Sequence, residues 1–165
     1  MQVQISLATG EAIAEIALIA AETWPSTYGH FLPEGQIPFM LEKMYNPQIL
    51  TQQMKEGTHF YLANLQEKTI GFAAVSVIDD KAKKAKLHKL YVLPNIQKNG
   101  AGKALLQASI DYAKKTGCTT IELQVNNQNI AKQFYEKQGF YVKEAAVFDI
   151  GNGFVMDDYV MVREL

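Results

Sequence analysis

Hydrophobic and polar positions change period several times along the chain, between strand-like alternation and the three-to-four-residue spacing of helices. The first third is predicted as a strand at 2–7, a helix over 13–24, a loop over 25–38 and short helices near 38–45 and 47–55. We expect Pro25 to end the first helix, because proline has no N–H to donate and clashes with the preceding turn.

The middle of the chain reads as three consecutive strands, at 59–64, 69–78 and 86–92. The second is apolar almost throughout, as expected for a central strand covered on both faces. Short polar turns between the strands favour antiparallel pairing. In the third strand, strict alternation places His88 on the face of Leu90 and Val92. Lys89 and Tyr91 then point to the opposite face.

The remainder alternates between helix and strand. It is predicted as a helix from a loop at 97–102 to about 116, a strand at 120–125, a helix near 128–138 and strands near 140–148 and 156–163. In the second helix, Ile130, Ala131 and Phe134 are expected to face inward. The order predicts an α/β (α+β) fold with a mixed, mostly antiparallel central sheet flanked by helices and containing a β-α-β crossover. We expect one domain over residues 1–165.

The composition, 48% hydrophobic and 20% charged, is that of an ordinary globular protein. Sixteen Lys+Arg against seventeen Asp+Glu give a formal net charge of -1, which disfavours nucleic acid or a membrane as a partner. The single cysteine, Cys118, excludes an internal disulfide and a cysteine-based zinc site. We find no apolar run of membrane-spanning length and no charged signal-peptide start. These features predict a cytoplasmic protein without a metal, as a monomer or homodimer.

A strand leads into a glycine-containing loop at residues 97–103, and this loop opens a helix. Backbone N–H groups and the positive end of the helix dipole meet there, so the loop predicts an anion site, most often for phosphate. The dinucleotide fingerprint fails because Leu105 stands at its third glycine, and the Walker A motif fails at Gln97. The alternative is that Gly100 and Gly102 only form a tight turn.

Two blocks of sequence resemble the GCN5-related N-acetyltransferase (GNAT) family. The first is Q-x-x-G-x-G at Gln97, Gly100 and Gly102, directly after a strand of the form L-Y-V-x-P. The second, residues 126–140, is similar to the family's N-x-x-A-x-x-F-Y-x-x-x-G-F segment. One helix and one strand separate the blocks, as in the family. The segment near 41–50 and the C-terminal residues resemble the PaiA-type spermidine/spermine acetyltransferases.

The resemblance implies an acetyl-CoA-dependent N-acetyltransferase that acts by direct attack in a ternary complex. The acceptor would be a primary amine of a small molecule or a peptide. The residues implied for acetyl-CoA are Leu90, Tyr91, Val92, Gln97, Lys98, Asn99, Gly100, Ala101, Gly102, Lys103, Asn129 and Tyr135. The alternative is a non-catalytic acetyl-CoA-binding module that acts as a sensor or interaction subunit.

The resemblance also implies catalytic and acceptor residues. Tyr135 would be the general acid that protonates the departing sulfur; the alternative is a packed helix aromatic. His88 is the candidate base, since an ordinary histidine pKa of about 6.5 suits neutral pH, and a structural histidine is the alternative. Tyr28 and Phe31 fall in the loop before the second helix, where the family forms the acceptor wall.

Two charged features affect the choice of acceptor in opposite directions. Four lysines, at positions 81, 83, 84 and 86, would repel a polycation if they faced the site. The acidic pair Asp157 and Asp158 would attract one. A polyamine, a small mono-amine and a peptide N-terminus therefore all remain candidates.

Overall fold

The structure is a computed structural model and describes residues 2–96 and 99–165. Its described residues form a seven-stranded sheet with the order β1-β2-β3-β4-β5-β7-β6. The strands are β1 (Gln4–Leu7), β2 (His59–Leu65), β3 (Lys68–Asp79), β4 (Lys84–Val92), β5 (Thr120–Asn126), β6 (Tyr141–Gly151) and β7 (Phe154–Glu164). Neighbouring strands are antiparallel except for β4 and β5, which are parallel. The predicted fold class is confirmed.

Five α-helices flank this sheet in the described residues. They are α1 (Ile13–Tyr28), α2 (Gln36–Tyr45), α3 (Pro47–Lys55), α4 (Ala101–Lys115) and α5 (Ala131–Lys137). Asn46 separates α2 from α3, and its Oδ1 accepts a hydrogen bond from the Ile49 N–H at the start of α3. Within the described part of the chain, no helix is long and apolar enough to cross a lipid bilayer.

Pro25 lies inside α1, so the prediction that it ends the helix is wrong. The helix continues to Tyr28, and the Gly29 N–H bonds to the Pro25 carbonyl. Pro25 itself is exposed, whereas Trp24 and Tyr28 are buried on the inner face. Burial of these two aromatic rings offsets the lost helical hydrogen bond at Pro25.

The central strand β3 separates two hydrophobic cores. Ala73 and Val75 pack into the core that contains α4, while Phe72 and Ala74 pack into the core under α1, α2 and α3. This burial on both faces explains the continuous apolar sequence of β3. The two cores hold the sheet from opposite sides and fix its strands relative to the helices.

The last helix, α5, is shorter than predicted and its first turn is arranged differently. It begins at Ala131, and Ile130 is 84% exposed, so the expectation that Ile130 faces inward is wrong. Asn129 Oδ1 accepts a hydrogen bond from the Ala131 N–H, which ties the loop to the helix start. This cap turns Ile130 outward, while Ala131 and Phe134 pack against the core.

Strand β4 contains a bulge at His88 that breaks the predicted alternation. Ala74 pairs with Lys89 and the next β3 residue, Val75, pairs with Leu87, so β4 has one extra residue there. Leu87 and Leu90 consequently face the same core. The prediction that His88 shares a face with Leu90 is therefore wrong, because a bulge resets the period of two.

Candidate active site

The two parallel strands at the middle of the sheet separate after a short ladder. Within the described residues, Lys84–Lys86 pairs with Thr120–Glu122 and the ladder ends there. Beyond it a narrow cavity of about 50 Å³ opens between β4 and β5 and reaches α1 and α5. Its lining includes Tyr28, His88, Leu90, Tyr91, Asn129 and Tyr135. The structure thus brings together six residues that the sequence named from four separate segments.

Tyr135 lies on α5 and its side chain is buried. Its ring packs edge-on against Phe134 and Phe140, with centroid distances of 5.2 and 5.6 Å. Burial raises the pKa of the Tyr135 phenol well above its ordinary value. The hydroxyl therefore stays protonated at neutral pH and is available as a proton donor.

Two further phenols, Tyr28 and Tyr91, line the same cavity. The hydroxyl oxygens of Tyr28 and Tyr91 are 2.9 Å apart and share a hydrogen bond. Burial raises the pKa of Tyr28 to about 12, although the bond to Tyr91 acts in the opposite direction. Tyr28 is the last residue of α1, so its expected position in a loop is wrong; the longer helix carries its ring to the cavity. Phe31 does lie in the loop between α1 and α2.

Asn129 precedes α5, and the oxygen and the NH₂ group of its amide have different neighbours. Its oxygen is occupied by the Ala131 N–H at 2.9 Å. Its interaction with Tyr28 lowers the pKa of that phenol, which places the amide beside the Tyr28 hydroxyl. The amide oxygen is therefore occupied, and the two N–H donors of the amide lie on the side of Tyr28 and the cavity.

His88 lines the cavity with a solvent-exposed side chain, and its Nε2 lies 2.7 Å from Ser76 Oγ. Partial desolvation, together with the positive charges of Lys86 and Lys89, lowers the pKa of His88 to about 4. The imidazole is neutral at physiological pH, as a base must be. It is nevertheless a weaker base than the ordinary value suggests, because its conjugate acid is disfavoured.

The glycine loop leads into α4, whose residue Gly102 lies near Leu90 of the cavity wall. Gly100 adopts φ +86°, a conformation that favours glycine, and the Asn99 carboxamide oxygen accepts a hydrogen bond from the Ala101 N–H. The N–H groups of Gly102 and Lys103 belong to the first helical turn, which has no preceding carbonyl partners. These groups, with the helix dipole, form a donor set for an anion.

Gly102 keeps the space in front of these donors open. A Cβ added there would lie 3.8 Å from the Phe134 ring and 3.9 Å from Leu90, which are ordinary contact distances. The packing of the fold therefore does not itself require glycine at this position. Gln97 and Lys98, also expected at this site, lie outside the described residues.

A second cavity of about 200 Å³ lies between the α1–α2 loop, the β5–α5 loop and the β6–β7 turn. Its walls include the rings of Phe31 and Phe154 and residue Asp157. Buried Gln36 connects two of these segments, since its amide donates to the Val155 carbonyl at 2.9 Å. The cavity is large enough for the chain of a small acceptor molecule.

The lysine run does not lie as a block against the site. Lys81 and Lys83 are exposed in the β3–β4 turn, and Lys84 forms an ion pair with Glu122 at 3.5 Å. Lys86 is the member of the run whose charge affects the pKa values of His88 and Asp158. The expected repulsion of a cationic acceptor by four lysines is therefore weaker than the sequence suggests.

Sequence reasoning underestimated Asp158. Its carboxyl is 5% exposed, and burial together with Asp157 raises its pKa to about 6, while Lys86 lowers it. The sequence does contain a signal for this burial. Strand alternation places Asp158 on the same face as Val160, and an acidic residue on a buried face of a strand is uncommon.

A mixed sheet with separated parallel strands, a glycine loop at a helix start and a buried tyrosine at the gap define a class of acyl-transfer proteins. The model of the Acetyltransferase (GNAT) family matches residues 19–140, and the chain belongs to this family. It is accordingly an N-acetyltransferase, with acetyl-CoA as its co-substrate. The resemblance inferred from the two sequence blocks is confirmed.

Individual relatives support the likeness to the PaiA type. The spermidine N(1)-acetyltransferase of Thermoplasma acidophilum is 28% identical over 163 residues, covering 95% of this chain and 97% of the relative. The crystal structure of PaiA N-acetyltransferase from the same organism, in complex with coenzyme A, superposes with a TM-score of 0.83 at 26% identity over both full chains. A ribosomal protein bS18-alanine N-acetyltransferase of Haemophilus influenzae is 39% identical over 92 residues, covering 54% of this chain and 61% of the relative.

Proposed function

We propose that this protein transfers the acetyl group of acetyl-CoA directly to a primary amine of a small molecule or peptide. The observation that carries the proposal is the common cavity of Tyr135, Leu90 and Asn129, which lies beside the open start of α4. A donor set suited to diphosphate and a proton donor for sulfur thus lie on either side of Leu90, which is near Gly102 and lines the cavity.

Acetyl-CoA supplies the activated acetyl group as a thioester. The diphosphate would bind the N–H groups of the loop, with Asn99, Gly100, Ala101, Gly102 and Lys103 as its described members. The arm that follows would lie along β4 at Leu90, Tyr91 and Val92. Asn129 would donate its NH₂ group to that arm, since its oxygen is already bonded to the Ala131 N–H.

Tyr135 would protonate the sulfur as it leaves. Its raised pKa means that the phenol is fully protonated at neutral pH, so a proton is present when charge develops on the sulfur. Tyr28 and Phe31 would contact the acceptor from α1 and the following loop. His88 also lines the cavity of Tyr135 and is neutral, but its lowered pKa makes it a weak base for the acceptor's proton.

The acceptor class is supported by both kinds of relative. A spermidine acetyltransferase matches nearly the whole chain, whereas a ribosomal-protein acetyltransferase matches about half of it. We favour a small alkylamine, because the likeness that spans the chain includes the α1–α2 region and the β6–β7 turn that wall the second cavity.

An acceptor screen tests this proposal. Thiol release from acetyl-CoA is followed with polyamines, single amino acids and peptides of free N-terminus, each at the same concentration. We expect the highest kcat/KM with an alkylamine. Binding of acetyl-CoA without thiol release for any amine would instead support the non-catalytic module.

A further inference from the structure

Asp158 presents a buried carboxylate oxygen that lacks a partner. Its Oδ1 is inaccessible to solvent and makes no hydrogen bond with any residue that the structure describes. A buried charged oxygen without a donor is costly relative to water, and native proteins rarely keep such a group without a functional reason. The orphaned oxygen therefore points to a ligand that carries an N–H group.

The position of Asp158 on β7 puts it on the acceptor side of the sheet. It pairs with Asn126 on β5 and has the same phase as Met156, which packs into the core under α1, α2 and α3. The coenzyme side of the sheet lies in the other phase, with Tyr159 against the core that contains α4. Asp158 thus faces the helices that carry the acceptor wall.

Asp158 is also close to the reaction cavity. Its charge raises the pKa of Tyr28, and Tyr28 lines that cavity together with Tyr135. Its neighbour Asp157 lines the second cavity. Asp158 is thus the chain neighbour of a residue that lines the second cavity, and it interacts electrostatically with a residue that lines the first.

We propose that Asp158 is the general base of the reaction: it binds the ammonium group of an alkylamine acceptor through Oδ1 and takes its proton. The inference rests on the proposed acetyl transfer to an amine. It assigns the proton acceptor to β7, whereas the sequence favoured His88 on β4.

The step balances in atoms and charge. One ammonium N–H bond breaks and an Asp158 O–H bond forms, which leaves a neutral amine and a neutral carboxylic acid. The amine lone pair forms the N–C bond, the C–S bond breaks, and sulfur takes a proton from Tyr135. The second amine proton returns, through solvent, to the Tyr135 phenolate. Asp158 then releases its own proton to solvent.

The environment of Asp158 makes it a stronger base than an ordinary aspartate. The groups that face it are Tyr28 from α1, Lys86 from β4 and Asp157 from its own strand. Desolvation and Asp157 raise its pKa to about 6, and the Lys86 charge opposes them. Asp158 is therefore a stronger base than His88, whose pKa is about 4.

The pH dependence of kcat/KM for an alkylamine tests the assignment in the parent protein. Productive binding requires ionised Asp158 and protonated amine, so kcat/KM should fall below about pH 6 and stay level up to the pKa of the amine. A continuous rise of about tenfold per pH unit from pH 6 to the amine pKa would overturn the inference, because it shows that neutral amine binds without a base. A limb near pH 4 would assign the base to His88.

Asp158→Asn is the matching variant, and Asp157→Asn is its control. We expect Asp158→Asn to fold, to bind acetyl-CoA as the parent does and to lose roughly 100-fold in kcat/KM together with the limb near pH 6. Asp157→Asn should still show a limb, but at lower pH, because the Asp157 charge raises the pKa of Asp158. A folded Asp158→Asn within threefold of the parent at every pH would overturn the inference. If this variant fails to fold, the parent profile decides alone.

The two proposals fail differently. If the parent acetylates no amine, the proposed function is wrong whatever the variants do. If the parent acetylates an alkylamine and Asp158→Asn keeps its rate and pH profile, the function stands and Asp158 is not its base.

Discussion

The chemistry at the cavity depends on phenols and carboxyls whose ionisation is set by burial. Desolvation raises the pKa values of three phenols, Tyr28, Tyr91 and Tyr135, so they stay protonated. It also raises the pKa of the Asp158 carboxyl, to about 6. Buried phenols donate protons and a partly desolvated carboxyl accepts them. Different environments therefore keep the proposed acid, Tyr135, protonated and leave the proposed base, Asp158, able to accept a proton.

Tyr135→Phe tests the acid at the residue scale. The variant keeps the ring that packs against Phe134 and Phe140 and removes only the hydroxyl. We expect an unchanged Kd for acetyl-CoA and a kcat lowered by about 10²–10⁴-fold, the usual contribution of a general acid. Calorimetry and steady-state thiol release measure the two quantities.

Tyr141→Phe is the control for this change, since the Tyr141 hydroxyl bonds to Glu164 on the exposed end of the sheet. It should retain the parent's kcat. An unchanged kcat in Tyr135→Phe at saturating substrates would reduce Tyr135 to a packing residue.

Single residues were predictable where a local pattern names them. The positions of Tyr135 and Asn129 followed from a sequence block, and both line the cavity. The environments of His88 and Asp158 did not follow, because they depend on contacts between distant strands. The bulge that redirects His88 is visible only in the β3–β4 register, and the burial of Asp158 requires α1 and β5 in place.

At the scale of elements, the start of α4 lies next to the part of β4 that borders the gap to β5. The short parallel ladder leaves the later residues of β4 beside the cavity, and the helix start supplies donors at its end. Gly102 connects the two features, with Leu90 on one side and Phe134 on the other.

Gly102→Val tests this element. Its branched side chain should block approach to the N–H groups while its Cβ meets only ordinary contacts in the fold. We expect acetyl-CoA affinity to fall by about tenfold or more, a loss of at least about 1.4 kcal/mol, with a circular dichroism spectrum like the parent's. Titration calorimetry gives the Kd.

Gly10→Val provides a matched substitution away from the site, where an added Cβ has no neighbour within 4 Å. It should bind acetyl-CoA normally. A folded Gly102→Val with parental affinity would mean that the diphosphate binds elsewhere.

Element boundaries show where sequence patterns stop being sufficient. Periodicity predicted the strands and their succession along the chain. The predicted ends of the strands lie within about three residues of the observed ones. Helix α1 was cut short at Pro25 because a local rule was applied without the aromatic burial that overrides it. Ile130 was placed inward because the cap at Asn129, a side-chain contact, was not visible in the pattern.

At the scale of the whole molecule, the proposed function gives the sheet a coenzyme side and an acceptor side. The core that contains α4 supports the first, and the core under α1, α2 and α3 supports the second. The cavity between the separated strands is lined by residues from both sides of the sheet. This arrangement favours direct transfer, because donor and acceptor can be bound at the same time on opposite faces.

Direct transfer is measured by the mass of every product after the protein is mixed with acetyl-CoA and an alkylamine such as spermidine. We predict that each released thiol is matched by one acetylated amine and that the protein itself carries no acetyl group during turnover. Thiol release without acetylated amine, or a protein-bound acetyl group that passes to the amine, would contradict direct transfer to an amine.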